Sequence, residues 1–377
     1  MTTFRLDASA GPGTHVFIVG VGTYPHLKGG AGKPTQQPMG MGQLTSPPLS
    51  ALKMLEWVDK DLNNPVAPLK SIEVLVSQPV PASYTDKGGA SSVIDGATLA
   101  HFVQSAQAWF DRASTDPDNV AIFYFCGHGL GDGLNSQLLL SDYGSENKPL
   151  RHAINFSAFR LSMGACKATK QLFLLDACRV VDPTMLLDPY NLGDSGLAPG
   201  NVTKLPTNIA NPVIYSAKAG EQAFGPPGGI SYFTEALLHG LSRCGVYLSK
   251  GKKWAVSPNQ LQIAIAGLVD DYSGKPHCPV DGLVGTGFEI HFLDGKLPEV
   301  VVSVSLKPAT GNTEAKIKAT CSGVDHFRAN HDHPWRTFLP FGPCLVNAEF
   351  AAPPKYSAAP VQLYLQPPWQ EIELELV

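Results

Sequence analysis

Val120-Ala121-Ile122-Phe123-Tyr124-Phe125-Cys126-Gly127-His128-Gly129 and Gln171-Leu172-Phe173-Leu174-Leu175-Asp176-Ala177-Cys178-Arg179 are the stretches that decide the fold of this chain. Each is a short apolar run that ends at a reactive side chain, a pattern typical of strands buried on both faces of a parallel sheet. Because open α/β sheets carry their chemistry at the carboxyl ends of strands, we expect His128 and Cys178 at one edge. A cysteine nucleophile with an imidazole partner needs this arrangement.

The two stretches resemble the caspase and metacaspase superfamily of cysteine peptidases. Cys178 follows His128 by 50 residues, the spacing of caspases, and Ala177-Cys178-Arg179 matches their nucleophile motif. Asp176 stands where caspases carry glutamine and matches the metacaspase and paracaspase form instead, while Val180 replaces an expected glycine. Residues 15–24, 212–217 and 229–238 also resemble segments of the family in the same order. The resemblance implies a caspase-like fold.

Strand candidates at 15–21, 71–77, 119–126, 171–177, 212–217 and 284–292 alternate with helical patterns at 49–60, 97–112, 157–165 and 232–243, and a further helix begins at Ser257-Pro258. This alternation predicts an α/β fold with a mostly parallel sheet flanked by helices. After residue 295 the pattern changes to alternating polar and apolar residues, which favours half-buried antiparallel strands. We therefore predict a peptidase domain over 1–295 and a small all-β appendage over 296–377.

Two segments rich in glycine and proline interrupt the pattern. Residues 29–48 are expected to form a surface loop. Residues 182–211 form a longer stretch without periodicity and with few apolar residues to hold it down, so we expect an exposed, protease-sensitive loop. In caspases the linker cut during maturation follows the nucleophile, and the resemblance implies such an activation linker here. Lys204 is the only basic residue in this loop and is the candidate site of self-cleavage.

Composition limits the class of protein. The chain has 377 residues, 44% hydrophobic and 16% charged, with a net charge of −4, so a well-buried core is expected and nucleic-acid binding is not. The N-terminus lacks the features of a signal peptide, and no apolar run has the length of a membrane span. Seven scattered cysteines, one of them a candidate nucleophile, fit a reducing cytoplasm better than a disulfide framework.

The catalytic roles follow from the chemistry of the side chains and from the resemblance. Cys178 would be the nucleophile, and His128 would protonate the leaving amine and then assist attack by water. The resemblance assigns the oxyanion hole to the backbone N–H groups of Gly129 and Cys178. The alternative is that Cys178 is a buried small hydrophobic residue and His128 a structural loop residue.

Asp176 carries the prediction about substrate. It lies two residues before Cys178 on a strand, so the two side chains share a face, and in metacaspases the matching aspartate binds arginine or lysine before the scissile bond. Asp176 could instead only bond to backbone near the strand end. The resemblance places a second metacaspase acid near Pro47-Pro48-Leu49-Ser50-Ala51-Leu52, and this chain has no acid there.

No cofactor is predicted, but calcium is kept open because it activates several metacaspases. Asp142, or Asp182, Asp188 and Asp194, could bind it, although solvated loop acids explain these residues more simply. His326, His331 and His333 with Cys321 and Cys344 fit no zinc spacing and are interpreted as part of a polar loop. Gly29-Gly30-Ala31-Gly32-Lys33-Pro34 fails the phosphate-loop pattern.

The sequence therefore predicts a cytoplasmic cysteine endopeptidase that cleaves proteins after arginine or lysine and needs neither nucleic acid nor membrane. An upstream activating protease could be a partner, and the resemblance implies a bacterial effector of defence or regulated cell death. The alternatives are a catalytically inactive interaction or scaffold protein, and an esterase or acyl transferase that uses the same two residues.

Overall fold

A computed structural model describes most of the chain. The described residues are 2–35, 39–131, 135–181, 193–198, 207–218, 220–223, 225–273, 281–283, 287–328, 333–351 and 356–377. None of the helices in these ranges combines the length and the apolar character needed to cross a membrane.

The α-helices in the described ranges are α1 (Ser46–Lys60), α2 (Leu99–Ala113), α3 (Phe156–Met163), α4 (Tyr232–His239) and α5 (Pro258–Ser273). The strands are β1 (Thr2–Leu6), β2 (Thr14–Val21), β3 (Leu69–Ser77), β4 (Ser83–Thr85), β5 (Ser91–Val93), β6 (Val120–Gly127), β7 (Gly129–Gly131), β8 (Ser136–Leu139), β9 (Ala153–Asn155), β10 (Lys170–Ala177), β11 (Val180–Val181), β12 (Val213–Tyr215), β13 (Val246–Leu248), β14 (Trp254–Val256), β15 (Asp281–Leu283), β16 (His291–Phe292), β17 (Glu299–Lys307), β18 (Ala315–Cys321), β19 (Val324–Phe327), β20 (Trp335–Pro340), β21 (Gly342–Phe350), β22 (Val361–Leu365) and β23 (Trp369–Glu375).

A central sheet of seven strands has the order β1-β3-β2-β6-β10-β12-β15. Its five inner strands pair in parallel, and the edge strands β1 and β15 pair antiparallel. The prediction of an α/β fold with a mostly parallel sheet is confirmed. Since β2 and β6 are buried along their whole length and β10 from its second residue onward, their unbroken apolar sequences are explained by cover on both faces.

The core of this sheet is aromatic. Phe17 on β2, Phe123 on β6 and Phe159 on α3 are completely buried, together with Phe102 and Trp109 from α2. Their ring centroids lie 5.0–6.3 Å apart in tilted, edge-on and stacked pairs, the separations at which aromatic pairs add to simple burial. This packing fixes the strands whose ends carry the reactive residues.

The predicted elements of the first 280 residues match the structure closely in their described parts, but the strand predicted at 284–292 is wrong for residues 287–290. Residues 287–290 are not in a strand, and β16 contains only two residues of the predicted run. The Asn64 side chain explains this, because its Nδ2 donates to the carbonyls of Glu289 and Ile290 at 3.2 and 3.3 Å. A side chain thus holds backbone groups that a strand would use in its ladder.

The chain divides into two compact units. One comprises residues 1–238 and 277–290, and the other 239–276 and 291–377. This division differs from the boundary at 295/296 drawn from the sequence, because α5 packs within the second unit. Gly267 on α5 lies so close to Trp369 that an added Cβ would be 2.6 Å from its ring, and Arg336 pairs with Asp271 at 2.9 Å.

The second unit contains three sheets, with orders β13-β14-β16, β20-β17-β23 and β19-β18-β21-β22. The predicted β-rich character is present, but β17 and β23 pair in parallel, which alternation of residues cannot distinguish from antiparallel pairing. Cys321 and Cys344 face each other across β18 and β21 and form a disulfide. This pair is therefore an exception to the interpretation that the scattered cysteines fit a reducing cytoplasm better than a disulfide framework, because cross-strand register brings the two residues together.

Part of the loop at 182–211 is held to the body of the first unit. Asp194 exchanges backbone hydrogen bonds of 2.8 Å with Ala153 and Asn155, and Leu197 is buried. The expectation that few residues hold this loop down is therefore wrong for residues 193–198. Lys204, Asp182 and Asp188 lie outside the described residues.

Candidate active site

The parallel register of β6 and β10 brings His128 and Cys178 to the same edge of the sheet. The two strands pair without interruption from Val120 opposite Lys170 to Gly127 opposite Ala177. His128 follows the last residue of β6 and Cys178 follows the last residue of β10, so the two residues leave the sheet at the same level. Both line a cavity of about 360 Å³.

Three segments build the rest of this cavity. The loop after β2 and the start of α1 contribute Gln43 to Pro47, and the segment that leads into α4 contributes Ala223, Gly225, Pro226, Pro227 and Ser231. Cys126 and Asp176 lie on the strands themselves. The cavity therefore sits at the carboxyl ends of parallel strands, where open α/β sheets bind their ligands.

His128 is held on two sides. Its Nε2 lies 2.8 Å from the Gly42 carbonyl oxygen, and since a carbonyl only accepts, Nε2 carries the proton and Nδ1 is left as the basic nitrogen. The Tyr24 ring packs on the imidazole with centroids 4.8 Å apart, and its hydroxyl accepts the His128 backbone N–H at 2.8 Å. Burial lowers the pKa of His128, and the bond to Gly42 opposes this shift.

Cys178 is a free thiol and is half-buried. Its Sγ accepts the backbone N–H of Ala223 at 3.4 Å. Burial raises the pKa of the Cys178 thiol; the Ala223 N–H lowers it, and the Asp176 carboxyl raises it again. Together with the lowered pKa of His128, this raised pKa favours a neutral Cys178 thiol and a neutral His128 imidazole at pH 7.

Gly129 packs directly against the last residue of β10 and the backbone of the residue that follows it. A Cβ at this position would lie 2.4 Å from the Cys178 carbonyl oxygen and 2.9 Å from Ala177 Cβ, so only glycine fits. This close approach brings the backbone of the two predicted oxyanion-hole residues together. Their role as donors to an oxyanion stays a prediction.

Asp176 lines the cavity but is only 3% exposed. The Ser231 hydroxyl donates to its Oδ2, and Thr234 Oγ1 and Cys126 Sγ lie 2.9 and 3.2 Å from the same oxygen. Burial raises the pKa of Asp176, and these hydrogen bonds lower it. The carboxyl has a structural function, because it ties β6, β10 and the start of α4 together; its role in binding substrate stays a prediction.

Of the predicted calcium ligands, Asp142 and Asp194 lie in the described part of the chain, and neither lines this cavity. Asp142 accepts the Leu99 N–H at the start of α2 at 3.1 and 3.2 Å and pairs with His152 at 2.8 Å, which is a helix-capping role. Asp194 accepts the Gly196 N–H within its own turn at 2.7 Å. Among the described residues, no group of three or more His, Cys, Asp or Glu side chains could hold a metal ion.

Several residues of the site could not be found from the sequence. Tyr24, Gly42 and Gln43 belong to the stretch around the first glycine-rich loop, and Ala223 belongs to a segment without periodicity. Ser231 had a signal, because it lies three residues before Thr234 at a helix start and Thr234 N–H bonds to its Oγ at 3.0 Å. Nothing in the composition of residues 39–44 indicates contact with a strand end 86 residues later.

Comparison with known proteins finds a family model, a relative and a solved structure that are similar to parts of this chain. Residues 87–251, which include His128 and Cys178, match the model of the caspase domain of peptidase family C14. An uncharacterized protein, y4kE, of Sinorhizobium fredii is 29% identical over 213 residues, which cover 55% of this chain and 59% of that protein. The chain thus spans less than two thirds of that relative. The crystal structure of caspase-1 from Spodoptera frugiperda aligns with 77% of this chain and 95% of its own, at 13% identity and a TM-score of 0.40.

Proposed function

We propose that this protein, which carries a caspase-like domain, is a cysteine endopeptidase in which Cys178 attacks the peptide carbonyl and His128 handles the protons. The observation that supports the proposal is the register of β6 and β10, which ends the two strands at the same level, with both residues lining one cavity. Adjacent nucleophile and base, with the base oriented by a third group, are the recurring arrangement of covalent catalysis.

The steps follow from the atoms available. His128 Nδ1 takes the thiol proton as sulfur attacks, and the resulting imidazolium protonates the leaving amine. Water then attacks the acyl-enzyme with His128 as base, which releases the carboxylate and restores the thiol. The Gly129 and Cys178 N–H groups would stabilise the oxyanion in both tetrahedral intermediates.

A preference for arginine or lysine before the cleaved bond is the proposed specificity. Asp176 is the acidic side chain among the residues that line the cavity in the described part of the chain. A carboxylate in a partly enclosed site attracts a cationic side chain more strongly than a solvated carboxylate does. Protein substrates are therefore proposed to present a basic residue to this wall. A role in bacterial defence or cell death remains a prediction of the resemblance.

The alternative is a caspase-like interaction protein without peptidase activity. The neutral, half-buried thiol that accepts the Ala223 N–H favours it, because a thiol in this state is a poor nucleophile until the site rearranges. An ester or another acyl donor could also serve as the substrate of the same two residues.

One experiment separates these functions. The purified chain is incubated with fluorogenic peptides that differ only in the residue before the cleaved bond, and with a peptide that carries a thiol-reactive group. We expect hydrolysis after arginine or lysine and covalent labelling of Cys178, located by mass spectrometry. Labelling without peptide hydrolysis would favour an esterase or acyl transferase. Neither labelling nor hydrolysis, before or after limited proteolysis, would favour the interaction protein.

A further inference from the structure

The orientation of His128 depends on a backbone carbonyl in a distant loop. Gly42 lies in the segment between β2 and α1, and its oxygen accepts the imidazole Nε2–H at 2.8 Å. This bond sets which nitrogen carries the proton. The carbonyl can do this only while residues 39–44 are held against the end of β6, so whatever anchors these residues also orients the base.

Gln43 provides that anchor through its side-chain amide. Its Oε1 accepts the Tyr24 N–H at 2.8 Å, and its Nε2 lies 2.9 Å from the Tyr24 carbonyl oxygen and 3.1 Å from that of Lys28. The Gln43 side chain therefore bonds both the N–H and the carbonyl of Tyr24, and also the carbonyl of Lys28. The adjacent backbone adds a bond from Leu44 N–H to the Gly22 carbonyl at 2.8 Å.

Tyr24 closes the arrangement into a ring of contacts. Its aromatic ring packs on the His128 imidazole, and its hydroxyl accepts the His128 N–H. The path runs from the Gly42 carbonyl to His128, from His128 to Tyr24, and from the Tyr24 backbone through the Gln43 amide back to Gly42. Two supports on different sides of the imidazole are thus tied to each other by one side chain.

We propose that Gln43 is a positioning residue, which holds the Gly42 carbonyl and Tyr24 together around His128 and so fixes the tautomer and orientation of the imidazole. The expected effect of Gln43 on peptide hydrolysis rests on the proposed function, whereas its effect on the tautomer and orientation of His128 does not. It assigns no direct contact with the reacting atoms to Gln43, although Gln43 also lines the cavity. Losing a positioning residue lowers kcat, whereas losing a substrate contact raises KM.

The kinetic test uses Gln43→Ala, which removes all three bonds, and Gln43→Glu, which keeps the size but loses both N–H donors. We expect kcat to fall about 10- to 100-fold in both variants, since small misplacements of a catalytic group have effects of this size, with KM within about twofold. Gln107→Ala is the matched control, because Gln107 is a half-buried glutamine on α2 whose side-chain Nε2 donates to Asp111 Oδ1 and which does not line the cavity. A rise in KM at constant kcat, or a wild-type kcat in Gln43→Glu, would overturn the proposal.

The second readout does not need peptidase activity. Nitrogen-15 NMR of the histidine rings reports which nitrogen of His128 is protonated and at what pH it titrates. We expect the Nε2–H tautomer in the wild type and in Gln107→Ala, and a mixture of tautomers in Gln43→Ala. The His128 titration should also move to lower pH in Gln43→Ala, because the bond to Gly42 raises that pKa. An unchanged tautomer and titration in Gln43→Ala would overturn the proposal even if no peptide substrate is found, whereas an inactive wild type with the expected NMR result would count only against the proposed function.

Discussion

At the scale of single residues, the proposed function depends on two side chains that the sequence already indicated. Cys178→Ala and His128→Ala should each abolish peptidase activity and leave the fold intact, because acyl transfer requires both the nucleophile and the proton carrier. Hydrolysis of the best peptide is measured beside a circular dichroism spectrum of each variant. Activity within about tenfold of the wild type, a barrier change of only ~1.4 kcal/mol, would remove the altered residue from its proposed role.

Asp176 is the residue that tests specificity. Asp176→Asn keeps the size of the side chain and removes its charge, so cleavage after arginine or lysine should weaken by about 2–5 kcal/mol in kcat/KM as the substrate cation loses its partner. Labelling of Cys178 by a small thiol reagent should change much less. Asp176→Ala should in addition lower stability, since it leaves the Ser231, Thr234 and Cys126 groups without their acceptor. A wild-type preference for aspartate would make Asp176 purely structural.

At the scale of elements, the close contact between the ends of β6 and β10 sets a strict demand on Gly129. Gly129→Ala should push the Cys178 backbone away and cost about 1–3 kcal/mol of unfolding free energy, because the added Cβ would meet the Cys178 carbonyl oxygen at 2.4 Å. The increase in the activation free energy of peptide hydrolysis should be larger than the loss of unfolding free energy. Gly287→Ala is the control, since an added Cβ there has nothing within 4 Å. Equal stability of the two variants in urea would contradict this account of the strand ends.

The amino end of β2 makes stability depend on pH. Burial lowers the pKa of His15 from 6.5 to about 4, and the neighbouring cations Arg112 and Lys70 add to the shift. In the unfolded chain His15 therefore becomes protonated below about pH 6.5, whereas in the folded chain it stays neutral down to about pH 4. The part of the unfolding free energy that depends on His15 is therefore at its maximum above pH 6.5, and it is lost as the pH falls towards 4.

As the pH falls from 7 to 5, the titration of His15 should lower the unfolding free energy by about 2 kcal/mol. Urea denaturation at the two pH values measures the loss in the wild type and in His15→Gln, where this part of it should vanish. His333→Gln changes an exposed histidine and should keep the wild-type dependence. The same pH dependence in His15→Gln as in the wild type would show that His15 does not titrate in this way.

At the scale of the whole molecule, the open question is control of the site. We predict that the chain is latent and that cleavage after Lys204 raises its activity, because the loop from 182 to 211 follows the nucleophile strand directly. Residues 193–198 stay bound to the body of the first unit through Asp194 and Leu197, so a cut at Lys204 would leave them in place.

Incubation of the purified chain followed by N-terminal sequencing should reveal a new terminus at Leu205. Activity should rise with the cleaved fraction. Lys204→Ala should block both changes, and Lys167→Ala, at an exposed lysine outside the loop, should not. Full activity of the uncut chain, unaffected by either variant, would show that the loop has no regulatory role.

The sequence alone determined the strands and the two reactive residues. Unbroken apolar runs are sufficient to predict buried parallel strands, because residue pattern and burial on two faces are directly related. The residues that end those runs then lie at one sheet edge, so His128 and Cys178 could be paired from position and spacing. Asp176 could be placed on the same face as Cys178 by the alternation of side chains along a strand.

Only the tertiary structure decided what surrounds those residues. The contacts of His128 with Gly42 and Tyr24, of Cys178 with Ala223, and of Asp176 with Ser231 join segments that are 45 to 104 residues apart. Irregular loops have no periodicity from which such contacts could be predicted. The disulfide between Cys321 and Cys344 and the parallel pairing of β17 with β23 likewise depend on which strands become neighbours. Residue pattern specifies the buried face of a strand, whereas its partner is selected by the packing of the whole unit.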